Sequence, residues 1–275
     1  MEKKDHFGRN VTGLLFLILL GLLWTVRRDI RLPGEERMQK IGQDKGIEEP
    51  DPASEISVKE EEAEDTEETG IRVVLENEKT GGYYHDRVVL SCSGACLAEG
   101  KEAAAGPGEK LELTGESPLL GEGVLRLAGE NGEKITVHSL HRDLGNPSYE
   151  GVLEIRKTEE GLLLINEVGL ETYLRYVVPS EMPASYEMEA LKAQAVCART
   201  YACKALEEGR MEKYFGDVDD TVSFQVYNNM ESHERTDRAV QETAGKVMTS
   251  GGKLITAYFF STSCGHTSTD EVWNG

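Results

Sequence analysis

The sequence predicts an α+β fold, and three observations lead to that prediction. Residues 71–139 contain short apolar and β-branched runs separated by Gly- and Asn-rich breaks, which is typical of a β-rich lobe. Later in the chain, apolar residues recur at three- and four-residue spacing, which indicates an amphipathic helix. An apolar run and an acidic stretch precede both regions. With 275 residues, the chain is long enough for one or two domains.

Residues 1–28 are predicted to form a short cytoplasmic tail and a membrane anchor. Basic residues precede an apolar run at 11–26, which is about 24 Å long at 1.5 Å per residue. That length is short for a bilayer span but workable where the bilayer thins or flanking residues snorkel. A cleaved signal peptide is the competing interpretation, but residues 22–26 offer no small-residue cleavage pattern, which favours an anchor. Basic residues flank both ends, so the positive-inside rule leaves the orientation open.

Residues 29–70 are predicted to form a disordered acidic linker. Residues 48–68 are nearly all Glu, Asp, Pro, Ser and Thr, and Lys59 is the only basic residue among them. Such a composition cannot bury enough apolar area to fold. The formal net charge of −20 argues against nucleic-acid binding, because neutralising phosphates requires basic clusters.

Residues 71–275 are predicted to form one domain, with a β-rich lobe at about 71–148 and a mixed α/β catalytic lobe at about 149–275. A helix is expected at 234–244, and Gly251 and Gly252 should close a later hairpin. The predicted strands are 71–75, 87–90, 110–113, 124–127, 134–137, 149–155, 161–166, 246–249 and 254–260.

The most informative stretch is residues 178–183, which places Glu181 between two prolines. Pro183 disfavours helical geometry at Met182, so a short helix of about 170–178 should stop before Met182. Glu181 would then lie near the negative end of a helix dipole, which opposes its ionisation. Desolvation acts in the same direction, and we therefore expect a raised pKa. A general acid that works near neutral pH requires such a shift.

The next helix is predicted to begin after Ser185, a good N-cap, with acidic residues in its positive first turn. Lys192, Gln194 and Arg199 are polar groups on a helix that otherwise has a buried face. The residues of that buried face are Met188, Leu191, Ala195, Ala198 and Ala202.

These residues resemble the stage II sporulation protein D (SpoIID) family and its relatives, the LytB amidase enhancers. The resemblance covers roughly residue 71 to the C-terminus. The pair Glu-Met-Pro and Leu-Lys-Ala-Gln-Ala is its most specific part. The matching segments are 170–174, 177–185, 189–202, 224–227, 257–267 and 271–273.

The resemblance implies a lytic transglycosylase that cleaves peptide-free peptidoglycan strands to 1,6-anhydro-MurNAc ends during sporulation and engulfment. The family's catalytic acid maps onto Glu181, and no cofactor is implied. The implied partners are glycan strands, a SpoIIP-like amidase and a SpoIIM-like membrane protein. The implied location is the cell membrane, single-pass, with the catalytic domain on the extracytoplasmic side. The alternative is a non-catalytic wall-binding protein that stimulates an N-acetylmuramoyl-L-alanine amidase.

The predicted substrate-binding residues lie on the helix and on later segments. Lys192, Gln194 and Arg199 either hold substrate oxygens or brace the turn that carries the acid. Gln225 and Tyr227 are predicted to reach sugar hydroxyls, with packing as the alternative for Tyr227. Hydroxyl groups at a strand end are also suited to contact a polysaccharide. These are Ser261, Thr262 and Ser263.

No metal site is predicted. Some clostridial family members hold zinc with Cys and His residues before the Gln-x-Tyr pair, whereas residues 217–225 contain neither. The aspartates there are expected in a solvated turn. Cys92 and Cys96 form either a small disulfide or an unpaired couple. A thiol enzyme is disfavoured, because a catalytic Cys usually finds its His far away in sequence. Family members often continue past the position of Gly275, so the catalytic lobe is either complete or truncated there.

Overall fold

The computed structural model describes residues 56–60, 69–98 and 102–259. Within these ranges the fold is mixed α+β, with three α-helices and three sheets. None of the helices in these ranges is both long enough and apolar enough to cross a bilayer. The predicted anchor at 1–28 lies outside the described residues, as do residues 29–55 and 61–68 of the predicted linker.

The strands are short and the helices follow them late in the chain. The helices are α1 Leu170–Glu181, α2 Met188–Glu208 and α3 Glu234–Glu242. The strands are β1 Ile56–Glu60, β2 Gly70–Val74, β3 Tyr84–His85, β4 Arg87–Cys92, β5 Cys96–Ala98, β6 Glu102–Ala105, β7 Leu111–Thr114, β8 Val124–Gly129, β9 Ile135–Val137, β10 Ser148–Tyr149, β11 Val152–Lys157, β12 Leu162–Gly169, β13 Val218–Asp219, β14 Lys246–Ser250 and β15 Lys253–Leu254.

One sheet runs through both predicted lobes. Its order is β13-β2-β12-β11-β8-β5-β6, and β3 pairs with the start of β12. In this sheet, strands from before residue 148 pair with strands from after it: β8 pairs with β11, and β2 pairs with β12. The predicted division at residue 148 is therefore not a boundary between sheets. The other sheets have the orders β10-β9-β4-β7 and β1-β14-β15.

The central strand β12 leads directly into the helices. Residues 162–166 of β12 are all buried, as expected of a strand covered on both faces. Gly169 then serves as the N-cap of α1. Helix α1 packs against α2 and α3, and α2 packs against β14. The predicted buried face of α2 is confirmed at Leu191, Ala195, Ala198 and Ala202, whereas Met188 is half-buried.

Strand β1 corrects the linker prediction over five residues. Ile56 pairs with Ser250 and Glu60 pairs with Lys246 in an antiparallel register, and the Ser57 hydroxyl lies 3.0 Å from that of Thr249. The average acidic composition hides a short β-branched alternation here, which can complete the open edge of β14. The turn of the hairpin after β14 is confirmed, because Gly251 and Gly252 adopt the positive φ values of 56° and 78° that a two-residue turn requires. The strand predicted at 254–260 was too long, because β15 ends at Leu254 and residues 255–259 are not in a strand.

The first predicted lobe also contains strands that the sequence did not indicate. Strands β5 and β6 form a hairpin at the end of the large sheet. A disulfide between Cys92 and Cys96 joins the end of β4 to the start of β5, which selects one of the two alternatives left open. Three residues separate the two cysteines, and β4 and β5 belong to different sheets. The disulfide therefore links the two sheets covalently at this point.

Candidate active site

Glu181 is the last residue of α1. The helix continues through Pro179 and ends where Met182 adopts extended angles, φ −139° and ψ 127°. Pro183 is the cause, because a residue before proline is driven out of helical geometry. The prediction that the helix stops before Met182 is thus confirmed, although the helix runs past residue 178. Glu181 consequently lies at the negative end of the helix dipole.

The Glu181 carboxylate is half-buried and has one backbone donor. The N–H of Val226 donates a hydrogen bond to its Oε1 at 2.7 Å. Burial raises the pKa of Glu181 above its usual range, and the Val226 hydrogen bond acts in the opposite direction. Within the described part of the chain, no Lys, Arg or His forms an ion pair with Glu181. The expected direction of the shift is confirmed.

Ser180 fixes the loop that supplies this donor. Its Oγ accepts hydrogen bonds from the backbone N–H groups of Asn229 and Met230 at 3.2 and 3.1 Å. The same hydroxyl donates to the carbonyl of Tyr176 at 2.6 Å. Two consecutive residues at the end of α1 therefore hold the loop that contains Val226. This attachment sets the position of the Val226 N–H relative to the acid.

The turn after Glu181 is held by α3. Arg235 donates to the carbonyls of Ala184 and Tyr186 at 2.9 and 2.7 Å. Helix α2 begins after Glu187, which is its N-cap and makes no side-chain cap hydrogen bond. The prediction that Ser185 is the N-cap was wrong. Arg235 holds these carbonyls in a turn, so the helix starts later.

A cavity of about 560 Å³ adjoins the loop, and both Val226 and Asn229 line it. Glu181 itself is not part of its lining. The cavity wall is built around Arg142, whose Nη1 contacts Glu78 at 3.0 Å and whose Nη2 contacts Asp220 at 2.5 Å. Burial raises the pKa of Asp220 to about 6, while Arg142 acts against this rise. The cavity therefore combines carboxylates, a guanidinium and an amide, all groups that bind polar ligands.

Gln225 and Tyr227 lie in the core, which corrects the prediction that they reach sugar hydroxyls. Gln225 is fully buried, accepts from the Tyr173 hydroxyl at 3.3 Å and donates to the carbonyl of Ala198 at 3.3 Å. The Tyr227 hydroxyl donates to Asn166 at 2.7 Å. The packing alternative is the one observed for Tyr227.

The ring of Tyr227 is the centre of a buried tyrosine cluster. Its centroid lies 4.8 Å from that of Tyr173, 6.0 Å from that of Tyr149 and 6.2 Å from that of Tyr176. Aromatic rings at these separations attract one another beyond their area of contact. The tyrosine cluster thus forms a rigid base beneath the loop that contains Val226.

Arg199 is buried and bonded at the far end of α1. Its Nε and Nη2 donate to the two carboxylate oxygens of Glu171 at 2.6 and 2.7 Å. It also donates to the carbonyls of Val240 and Lys246 at 3.2 and 3.3 Å. Of the two predicted roles, the structure supports bracing, but at the first turn of α1 and not at the turn that carries Glu181.

Lys192 and Gln194 occupy different environments on α2. The Lys192 ammonium pairs with Glu242 at 2.7 Å and with Glu189 at 2.9 Å near the surface. Gln194 is only 7% exposed, and its Nε2 has no hydrogen-bond partner among the described residues. Of the two, only Gln194 leaves a buried polar group unsatisfied.

Other predicted residues are bonded elsewhere or not described. Ser261, Thr262 and Ser263 lie outside the described residues, as do Cys264 and His266. The aspartates before Gln225 are buried or half-buried, which corrects the solvated turn: Asp217 accepts from the Arg72 N–H at 2.8 Å, and Asp219 accepts from the Tyr83 hydroxyl at 2.6 Å. No cluster of three or more potential metal ligands occurs in the part of the chain that the structure describes.

The sequence did not identify Val226, Ser180 or Asn229 as site residues. Val226 and Asn229 contribute backbone N–H groups to the acid's surroundings, and a backbone donor leaves no mark in residue type. The Gln-x-Tyr spacing was the one available signal. In an extended segment, side chains two residues apart point to the same side. If Gln225 and Tyr227 both point inward, the side chain of Val226 between them points the other way.

Comparisons with known proteins point to one family for this region. Residues 158–250 match the sequence model of SpoIID, the stage II sporulation protein family. That region carries Glu181, Val226 and the whole of α1, α2 and α3.

The chain is also similar to curated proteins of several bacteria. An uncharacterized protein of Brachyspira hyodysenteriae is 37% identical over 129 residues, which cover 46% of this chain and 35% of that protein. The amidase enhancer of Bacillus subtilis is 44% identical over 102 residues, or 37% of this chain and 13% of the enhancer. Stage II sporulation protein D of the same bacterium is 39% identical over 124 residues, which cover 40% of this chain and 36% of that protein. The chain thus spans about a third or less of the length of these relatives.

Proposed function

We propose that this protein acts on the cell wall in sporulation as a lytic transglycosylase, with Glu181 as its acid and peptide-free glycan strands as its substrate. Similarity to stage II sporulation protein D and to an amidase enhancer supports the cell-wall role. The carrying observation is the Glu181 carboxylate, whose pKa is raised by burial alone. Among the described residues no charged group contributes to that shift.

A single carboxylic acid is sufficient for this reaction. Glu181 donates its proton to the glycosidic oxygen, and the bond from that oxygen to the sugar C1 breaks. The resulting carboxylate then takes the proton of the same sugar's C6 hydroxyl, whose oxygen bonds to C1 and closes a 1,6-anhydro ring. No water is consumed, so the second carboxylate of a hydrolase is unnecessary. The Val226 N–H bonds the carboxylate that exists between the two proton transfers.

Further residues are proposed to bind the strand. The unpaired Nε2 of Gln194 is available to a substrate oxygen, because a buried donor without a partner favours any ligand that supplies one. Lys192 and the hydroxyls of Ser261, Thr262 and Ser263 remain proposed contacts to the strand. Arg199 contributes by fixing α1 through Glu171.

A second candidate function is a non-catalytic wall-binding protein that stimulates an amidase. The 44% identity to a protein named amidase enhancer favours it. The two functions differ in one respect that can be measured. An enhancer requires strand binding and amidase stimulation but no chemistry at Glu181.

Anchoring and partners also belong to the proposal. The run at 11–26 would hold the chain in the cell membrane as a single span, with the folded part on the extracytoplasmic side. A SpoIIP-like amidase and a SpoIIM-like membrane protein are the proposed partners. Protease treatment of intact cells that lack a wall should digest the folded part and leave the residues before the span protected.

The deciding experiment incubates the full chain with peptide-free glycan strands and detects anhydro-ended fragments by mass spectrometry. Wild type should form them, and Glu181→Gln should lower the rate about 10²- to 10⁴-fold. Glu187→Gln is the matched control, because it removes an exposed carboxylate close in sequence and should retain full activity. Absence of product from wild type, with intact strand binding and amidase stimulation, would establish the enhancer function.

A further inference from the structure

The cavity beside the Val226 loop and the Glu181 site share one residue. Val226 lines the cavity, and its backbone N–H donates a hydrogen bond to Glu181. A polymer held at Glu181 therefore passes within one residue of the cavity. A volume of about 560 Å³ lies in the range of pockets that hold small ligands.

The cavity has fixed polar walls. Asn229 and Asp143 are joined by two hydrogen bonds, from the Asn229 Nδ2 to Asp143 at 2.7 Å and from the Asp143 N–H to Asn229 at 3.3 Å. Arg142 is held by Glu78, by Asp220 and by the carbonyl of Glu76. Side chains that are already positioned lose little conformational entropy when a ligand binds.

A buried hydroxyl behind this wall lacks a partner. Tyr149 is 1% exposed, and its hydroxyl makes no hydrogen bond with any described residue. The charged groups that act on this hydroxyl are Asp220, Arg142 and Glu78, all of which line the cavity. Tyr149 does not itself line the cavity, so its unpaired hydroxyl favours a water that bridges it to a ligand in the cavity.

The charge of the cavity decides which sugar fits. Its lining contains the carboxylates of Glu76, Glu78, Asp143 and Asp220, the imidazole of His141 and one guanidinium, that of Arg142. Arg142 pairs with Glu78 and Asp220, and the carboxylates of Glu76 and Asp143 make no ion pair with it. A peptide-free glycan strand alternates an uncharged N-acetylglucosamine with a muramic acid that carries a lactyl carboxylate. Like charges at close range repel, so the muramic acid is disfavoured here, whereas hydroxyl and amide groups can donate to the carboxylates.

We propose that this cavity is the subsite for the uncharged N-acetylglucosamine ring next to the cleaved bond, and that its carboxylates exclude the lactyl-bearing ring. The subsite rests on the proposed action on glycan strands and deepens it. It fixes the register of the strand, so that the lactyl-bearing ring lies on the other side of Glu181 and becomes the anhydro end.

The first test measures binding and needs no cleavage. In full-length Glu181→Gln protein, chitotetraose binding is measured by calorimetry with and without Val222→Trp. Val222 is 87% exposed and lines the cavity, so an indole there obstructs the cavity with little effect on folding. Binding should weaken at least about tenfold. Leu119→Trp, at a 44% exposed position outside the cavity lining, is the matched control and should bind as before.

The second test measures the charge filter. N-acetylglucosamine should displace chitotetraose, and N-acetylmuramic acid should not. Asp143→Asn should reduce the ratio of the affinities for these two sugars about fivefold. Tyr149→Phe should leave the unliganded protein as stable as before and weaken chitotetraose binding roughly threefold. Unchanged binding in Val222→Trp, or equal displacement by the two sugars, overturns the subsite. Either result leaves cleavage by Glu181 intact, whereas sugar binding without anhydro products refutes only the lytic reaction.

Discussion

The two ends of α1 carry the same side chain in opposite surroundings. Glu171 lies in the first turn, where the helix dipole favours a negative charge, and its carboxylate is paired with both Nε and Nη2 of buried Arg199. Glu181 is the last residue, where the dipole opposes a negative charge, and it has one backbone donor. One helix therefore pairs a carboxylate with a guanidinium at its start and leaves a carboxylate without a cation at its end.

The difference shows how structure and chemistry divide between neighbouring elements. Arg199 joins α2 to α1 and reaches the carbonyls of Val240 and Lys246, so the first end of α1 is anchored on several sides. That rigidity allows the other end to hold an acid whose ionisation is unfavourable. A carboxylate without a cation beside it is costly to charge, which is the property that a proton donor requires.

The largest expected effect comes from the anchored end. Arg199→Leu should lower the free energy of unfolding by roughly 3 kcal/mol, because it leaves Glu171 and two carbonyls without their buried donor. This loss of stability is at the low end of the range for a broken buried ion pair, because the Glu171 side chain is 33% exposed. Urea denaturation measures it. Arg238→Leu, which breaks an exposed pair with Glu242, should have no measurable effect, and equal stability of both variants would contradict the comparison.

A smaller effect is expected at the end that holds the acid. Ser180→Ala removes the acceptor for the N–H groups of Asn229 and Met230, which should cost about 1–2 kcal/mol. Hydrogen exchange should quicken at these two amides and at Val226, and glycan cleavage should slow. Ser223→Ala, at an exposed serine of the same loop region, serves as the control. Unchanged exchange at all three amides would show that Ser180 does not hold the loop.

The pH dependence of stability tests the raised pKa of Glu181 directly. Because that pKa is raised on folding, the folded state holds the Glu181 proton to a higher pH than the unfolded chain. Stability should then fall as pH rises through the interval between the usual and the raised value. The wild-type free energy of unfolding, minus that of Glu181→Gln, should decrease as the pH rises above about 4, the usual pKa of a glutamate. A difference that increases with pH would mean a lowered pKa and would remove Glu181 as the acid.

The smallest expected effect compares two of the buried polar side chains of α2, Arg199 and Gln194. Each guanidinium nitrogen of Arg199 donates a hydrogen bond, whereas the Nε2 of Gln194 has no hydrogen-bond partner among the described residues. Gln194→Met should raise the free energy of unfolding by up to about 1 kcal/mol and lower the rate of glycan cleavage. Gln241→Met, at an exposed position of α3, is the control. A loss of stability at Gln194 would show that its amide is bonded in the folded protein.

Local features of the fold could be predicted from the sequence, because their causes lie within a few residues. Pro183 predicts the extended Met182, the small residues of α2 predict its buried face, and the Gly251-Gly252 pair predicts a tight turn. The raised pKa of Glu181 belongs to the same group, since its cause is partial burial at the end of a helix that Pro183 terminates.

Features that depend on distant partners could not be predicted. The strand β1 exists because β14, far along the chain, offers an edge, and no local pattern announces that pairing. The burial of Gln225 follows from contacts with Tyr173 and Ala198, which come from two different helices. Val226 contributes through its backbone, so its residue type carries no signal at all.

The tyrosine cluster around Tyr227 has a practical consequence for measurements on this protein. Both tryptophans of the chain, Trp24 and Trp273, lie outside residues 56–259. Tyrosines are therefore the principal near-ultraviolet chromophores of the described residues, and the close packing of the four cluster rings should contribute a circular dichroism signal. Loss of that signal would report the unfolding of the tyrosine cluster that supports the Val226 loop.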